Sequence, residues 1–277
     1  MTPVLTDRTA LARHRARALG APGPLRPALF LHDEAAREVE ERLNEVNRTF
    51  TAPAVVTAFP QFWAERLPGA RIVPDDEVLA LEPGAHDLVV HALALHWAND
   101  PVGQLVQCRR ALRPDGLFLG LLFGGRTLAE LRTALAEAEA AVTGGLSPRV
   151  LPMGEIRDLG ALLPRAGLAL PVADSLLREV SYRDTAHLMR DLRAMGETNA
   201  LAGRLRHPSR RALFAEAEAR HPRRPDGRIT ARFEIICLTG WAPHESQPKP
   251  LRPGSAAQSL ANALGSPRDG DPGAQEG

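Results

Sequence analysis

An open, mostly parallel α/β sheet is the fold this sequence predicts, and three observations predict it. Between Asp87 and Leu95 the stretch DLVVHALAL is interrupted only by His91, too uniformly apolar for a half-exposed strand and suited to a central parallel strand covered on both faces. Asp100 and Pro101 then stand as N-cap and first-turn proline of a helix, VGQLVQCRRALR, with Val102, Leu105, Val106 and Leu112 on one side. RPDG at 113–116 reads as the turn that stops this helix, and LFLGLLF at 117–123 as a second buried strand. Strand, helix, strand makes a right-handed parallel unit, so the carboxyl ends of both strands flank one crevice. His96, Trp97, Gly124 and Gly125 fall at those ends.

The remaining elements follow in order. Residues 1–20 read as a basic helix broken by APGPLRP, and 29–48 as a second helix with Leu31, Ala35, Val39, Leu43 and Val46 at intervals of three and four. Residues 1–48 would form a helical brace against the following domain. PAVVTAF at 53–59 and ARIVP at 70–74 are strand candidates with the helical piece QFWAERL between them. Beyond the central unit the pattern predicts a helix at 127–141, a loop TGGLSPRVLPM, and a helix at 154–166 ending in Gly167. A strand at 170–182, helical residues at 184–221 and a final strand at 231–241 complete a domain over 50–245. The 246–277 tail, rich in Pro, Gly, Ser and Gln, is expected to be mostly disordered.

Composition excludes several classes. In 277 residues, 44% hydrophobic with a formal charge of +1, no global field draws the chain to nucleic acid or an anionic membrane. The one local candidate, ARHRARALG at 12–20, reads as a solvated helix face or as an anionic docking site. Two cysteines, Cys108 and Cys237, build neither a disulfide framework nor a zinc cluster on their own, and the histidines lack ligand spacing, so no metal site is expected. No apolar run reaches the ~18 residues a membrane span needs. The N-terminus has no apolar signal core. A cytoplasmic bacterial location is the expectation.

Several blocks carry a resemblance: HDLVVHALALHWANDP, ALRPDGLFLGLLFGGRTLAELR, GGLSPRV, DLGALLPRAGL, MRDLRAMGETNAL and GWAPHESQPKPLRPGSA. In this order they are similar to the signature blocks of the mitochondrial complex I assembly factor 5 family and its bacterial relatives. That resemblance implies a class I S-adenosylmethionine (SAM) methyltransferase fold, Rossmann-like, with a helical insertion before the last strand. It also implies a protein partner, a respiratory complex I subunit, and an arginine hydroxylase activity in the mitochondrial member.

The departure from the methyltransferase pattern is as informative. Such proteins carry a glycine-rich loop after the first strand, because glycine lets backbone N–H groups approach the cofactor. Here the place reads AVVTAFPQFW, and no glycine occurs between Phe50 and Pro68. Only residues 51–85 separate the N-terminal helices from the central strand, room for one βαβ unit of ~30 residues rather than two. The sheet should therefore be incomplete in its first half, and the SAM site that the resemblance implies lacks its glycine-rich loop.

By the family pattern Asp75 and Asp76 fall near the adenine amino group, where a carboxylate accepts its hydrogen bond; as turn or capping acids they would need no ligand. Leu95, His96 and Trp97 are assigned to the same cofactor edge. His96 is either a base or a histidine bonded to nearby backbone, and Trp97 either a pocket wall or a packed core residue. Gly124, Gly125, Glu197 and Asn199 are assigned to a substrate or partner crevice, although MGETN at 195–199 could equally do no more than end a helix. Two functions follow: a methyltransferase-like protein with a degenerate cofactor loop that assists complex I assembly or modifies a partner, or an active methyltransferase or hydroxylase using SAM in an altered site.

Overall fold

The structure is a computed structural model and describes residues 4–21 and 26–248. The expected tail falls almost wholly outside the described residues. The chain divides into two compact units after His244; the second is described only at 245–248 and contains a turn.

Two helices come first, α1 (Arg8–Leu19), capped by the Asp7 carboxylate, and α2 (Phe30–Val46). The sheet then begins with β1 (Pro53–Thr57), α3 (Pro60–Arg66) and β2 (Arg71–Val73). β3 (His86–Ala92) follows, and a 3-10 turn over Leu95–Trp97 leads into α4 (Pro101–Ala111) and β4 (Leu112–Phe123). Next come α5 (Ala129–Thr143), α6 (Ile156–Gly160), α7 (Leu162–Arg165) and β5 (Ala169–Tyr182). α8 (Thr185–Ala194), α9 (Arg211–Arg220) and β6 (Ile229–Trp241) complete the order.

The strands form one six-stranded sheet in the order β2-β1-β3-β4-β6-β5. β2, β1, β3 and β4 are mutually parallel, and β6 runs antiparallel to both neighbours. The interval 51–85 holds one strand, helix, strand unit, as its length requires, and the return from β2 to β3 crosses without a helix. β3 is buried at all seven positions. Its alternation sends Leu88, Val90 and Ala92 to the core under α2 and α5, and Val89 to the core under α4. Each leucine or valine among them contributes about 1.5–3 kcal/mol of transfer free energy.

Four local expectations need correction. RPDG does not end in a free turn: it lies inside β4 as a bulge, Leu112 pairing with His86 and Leu117 with Leu88, with Asp115 at φ 61° absorbing the extra residues. The helix at 154–166 is two short pieces, because Pro164 has no N–H for the carbonyl four residues back. Residues 195–210 leave the helical state between α8 and α9. On α4 the buried positions are Gln104, Leu105, Cys108 and Ala111, a stripe turned toward Gln104 and away from Val102 and Val106.

Candidate functional site: a carboxylate-floored cavity beside the strand ends

β1 leads outward to β2 on one side, whereas β3 returns on the other, so the carboxyl ends of β1 and β3 form the topological switch point where open α/β sheets bind ligands. α1 and the 195–204 loop close over it. Thr6 bridges to Leu201, Asp7 N donates to Ala200 O at 2.7 Å, and Asn99 Oδ1 accepts from the amides of Leu5 and Thr6.

Glu197 reaches this place through the way α8 ends. Gly196 sits at φ 76°, its N–H donates to Arg193 O, and Glu197 N donates to Leu192 O at 2.8 Å, the paired bonds of a Schellman cap. The cap turns Glu197 back toward the sheet, so ending the helix and facing the crevice are one feature. Glu197 Oε2 accepts from Trp97 Nε1 at 2.7 Å and lies 3.3 Å from His96 Nε2. Its Oε1 makes no hydrogen bond among the described residues. Burial would raise the Glu197 carboxyl, yet His96, the Arg15 charge and the Trp97 indole outweigh it and hold it below the ordinary glutamate value.

Trp97 and Glu197 line a cavity of about 260 Å³. Its walls include Phe123, Leu131, Met153, Met189 and Met195, so three of the chain's four methionines meet there. Methionine fits irregular space and adapts to a guest. Arg149, paired with Glu139, and Arg193 also line it, so Glu197 is the one acid among mostly apolar walls that carry two guanidinium groups.

On the other side of α1 lies a crevice of about 400 Å³, bounded by Thr57, Ala58, Pro60 and the 72–76 segment. Asp75 is nearly saturated there: Arg15 Nη1 stands 2.6 and 2.7 Å from its two oxygens, and Arg8 adds a bond at 3.3 Å. Burial would raise Asp75, but the Arg15 charge and hydrogen bond, then Arg8 and His91, bring it below the usual value. Asp76 is exposed, its backbone carbonyl accepting from Gln104 Nε2. Gln104 also bonds His91 Nε2 at 2.8 Å, and burial pushes His91 down to about 4. Nδ1 of His91, Nδ1 of His96, and Nε and Nη2 of Arg15 are buried without hydrogen-bond partners among the described residues.

The remaining assigned residues have packing roles in view. Leu95 is buried in the core under α4. A Cβ on Gly124 would come within 2.5 Å of Glu234 Oε2, and one on Gly125 within 2.3 Å of Glu155 Oε1, so both glycines permit close approach after β4. Asn199 donates to Pro148 O and accepts from Leu201 N, tying two loops together. Among the described residues Glu38, Asp174 and Cys237 stand close enough to suit a metal, and the Arg42 guanidinium binds both carboxylates. No described helix is long and apolar enough to cross a membrane.

Arg8 and Arg15 escape a charge-based reading. Arg13 and Arg17 are exposed as a solvated face requires, but Arg15 is buried. Its spacing from buried Leu11 and Ala18, four and three residues, was the available signal.

Comparison with known proteins agrees with this architecture. A family profile described as a methyltransferase domain matches residues 38–120. The chain is 33% identical over 261 residues to the mitochondrial arginine hydroxylase NDUFAF5 of Danio rerio, covering 84% of this chain and 81% of that one. It is 37% identical to the Homo sapiens protein of the same name over 78% of this chain, but spans only 63% of that relative's length. A malonyl-[acyl-carrier protein] O-methyltransferase of Laribacter hongkongensis is 38% identical over 63% of this chain and 57% of its own. Sheet order, insertion and near full-length similarity agree: the chain is a methyltransferase-fold protein and belongs to the NDUFAF5 family.

Proposed function

We propose that this protein engages an arginine side chain of a partner protein, as a methyltransferase-fold factor in respiratory complex I assembly, and does so without an intact SAM cradle. The single observation that carries the reading is the Glu197 carboxylate, its side chain 10% exposed, fixed on one oxygen by Trp97 and His96 at the edge of an apolar cavity. An arginine stem would lie along the methionine and leucine walls while its guanidinium meets the free Oε1. The name shared by the relatives, arginine hydroxylase, supports the choice of guest.

The residues at the cofactor edge do not fit SAM. Phe59 N already donates to Thr57 Oγ1 at 3.1 Å, and Pro60 has no N–H, so the turn after β1 has little to offer a cofactor carboxylate. Arg15 and Arg8 hold Asp75. Of the two acids, Asp76 remains able to accept an adenine amino hydrogen, which is the observation that favours the second reading, an active enzyme using SAM in an altered site. The buried free thiols of Cys108 and Cys237 accord with a reducing cytoplasm as the place of action.

Deleting the gene and restoring it as wild type or Glu197→Gln tests the proposal. Assembled complex I on native gels should fall in the deletion and return only with wild type. Full restoration by Glu197→Gln would refute the role given to the cavity.

A further inference from the structure

The two edges of the sheet are unlike. β2, at one edge, is three residues long, and shortness is one way a monomeric sheet keeps its edge from recruiting another strand. β5, at the other, runs for fourteen residues and pairs only with β6 among the described strands. Its bulge and its one proline, Pro171, both lie at its start, so residues 172–180 form an uninterrupted ladder with β6 whose outer edge no described strand covers. No lysine, proline or glycine falls in that stretch to blunt it. Val172 is 53% exposed and Leu177 40%.

The stretch is also complementary to itself. Its even-numbered side chains share the face toward α2: Arg42 Nη2 donates to Asp174 Oδ1 at 2.6 Å, Arg178 Nε donates to Glu34 Oε2 at 2.9 Å, and Leu176 and Val180 pack on the core under α2 and α5. Two copies laid antiparallel about a two-fold axis at Leu176 set Leu176 opposite itself, Asp174 opposite Arg178 and Val172 opposite Val180. Every pair on that face is then apolar with apolar or acid with base, the pairings that stabilise neighbouring strands. The Asp174 and Arg178 side chains stay 46% and 41% exposed beside their own partners, so each keeps an open side. Moving the axis by one residue, to Ser175 or Leu177, sets Arg178 opposite Val172 or Leu176 and removes the match.

We propose that the protein is a two-fold dimer in which β5 pairs antiparallel with β5 of a second copy through residues 172–180, joining two six-stranded sheets into one. The occupant is a second copy because a two-fold interface must be complementary to itself, and this edge meets that condition in register, in charge and in apolar contact. Across the junction Arg42, Asp174, the second copy's Arg178 and its Glu34 make a row of alternating charge.

Sedimentation velocity of the full chain at micromolar concentrations tests this. Wild type should sediment at twice the mass of one chain, and a monomer throughout that range would overturn the proposal. Asp174→Arg and Arg178→Asp each set like charges opposite one another twice, so each alone should shift the protein to monomer. Mixing the two variants restores both opposite-charge pairs, and the mixture should associate at least tenfold more tightly than either component. Variants that remain dimeric, or a mixture no tighter than its components, would put the association elsewhere and overturn the assignment. Should either charge variant not fold, cysteine substitution reads the register without altering charge, since the chain's own Cys108 and Cys237 are buried. On oxidation Leu176→Cys should cross-link two copies, because the position lies opposite itself. Val172→Cys should not, because eight residues at ~3.4 Å each separate it from its counterpart. Equal cross-linking at both positions, or at neither, contradicts the register.

Discussion

Trp97 Nε1 donates to Glu197 Oε2 at 2.7 Å across 100 positions of sequence, and that one bond joins the end of the central strand unit to the cap of α8. Removing the donor leaves a largely shielded carboxylate with one fewer partner. Trp97→Phe should cost about 1.5–3 kcal/mol of stability, the range for a hydrogen bond to a charged group, read as a lower urea midpoint at unchanged slope. An unaltered midpoint would mean that the bond contributes nothing.

Gly196 carries the direction of Glu197. At φ 76° an alanine is strained by about 1 kcal/mol, and its Cβ would press on Arg15. Gly196→Ala should therefore lose stability and weaken arginine-peptide binding together. A variant that is destabilised yet binds as well as wild type would show that the cap does not aim the carboxylate.

Two buried histidines give the protein an acid limit. Burial depresses His32 to about 3 and His91 to about 4, while Trp63 Nε1 donates to His32 Nδ1 at 3.1 Å and so requires it neutral. Their folded pKa values lie below the unfolded value of about 6.5, so this stability is complete above pH ~6.5 and is lost as pH falls. Each should add roughly 1.4 kcal/mol per pH unit to the slope between pH ~6 and ~4. Denaturant unfolding at several pH values in that window should show this slope falling by half in His91→Gln.

On the proposed reading, the crevice after β1 does not hold SAM. Calorimetry with SAM and with S-adenosylhomocysteine should give Kd values weaker than about 1 mM, or −4.1 kcal/mol. Micromolar binding of either would restore the active-enzyme alternative.

Much of the sheet was legible in the residues that build it. The uniform run ending at Ala92 and the Asp100–Pro101 cap fix β3 and α4 because burial on both faces and capping leave local signatures. The short interval before β3 likewise forecast a sheet with a single βαβ unit on that side. What stayed hidden is tertiary. Arg15 reads as a solvent residue because its charge masks its place on the buried stripe of α1, and only the fold brings Asp75 to it. RPDG has turn chemistry, yet pairing of β4 on both flanks draws it into the strand as a bulge. Glu197 was visible as an acid among apolar neighbours, but its partners lie far away in sequence, where no spacing rule reaches.

The most direct measurement compares two peptides that differ in one group, an arginine and its neutral isostere citrulline, titrated against wild type and Glu197→Gln. Wild type should prefer arginine at least tenfold, and Glu197→Gln should bind both alike. Equal binding of the two peptides by wild type, or an arginine preference that survives Glu197→Gln, would contradict a carboxylate-floored acceptor cavity.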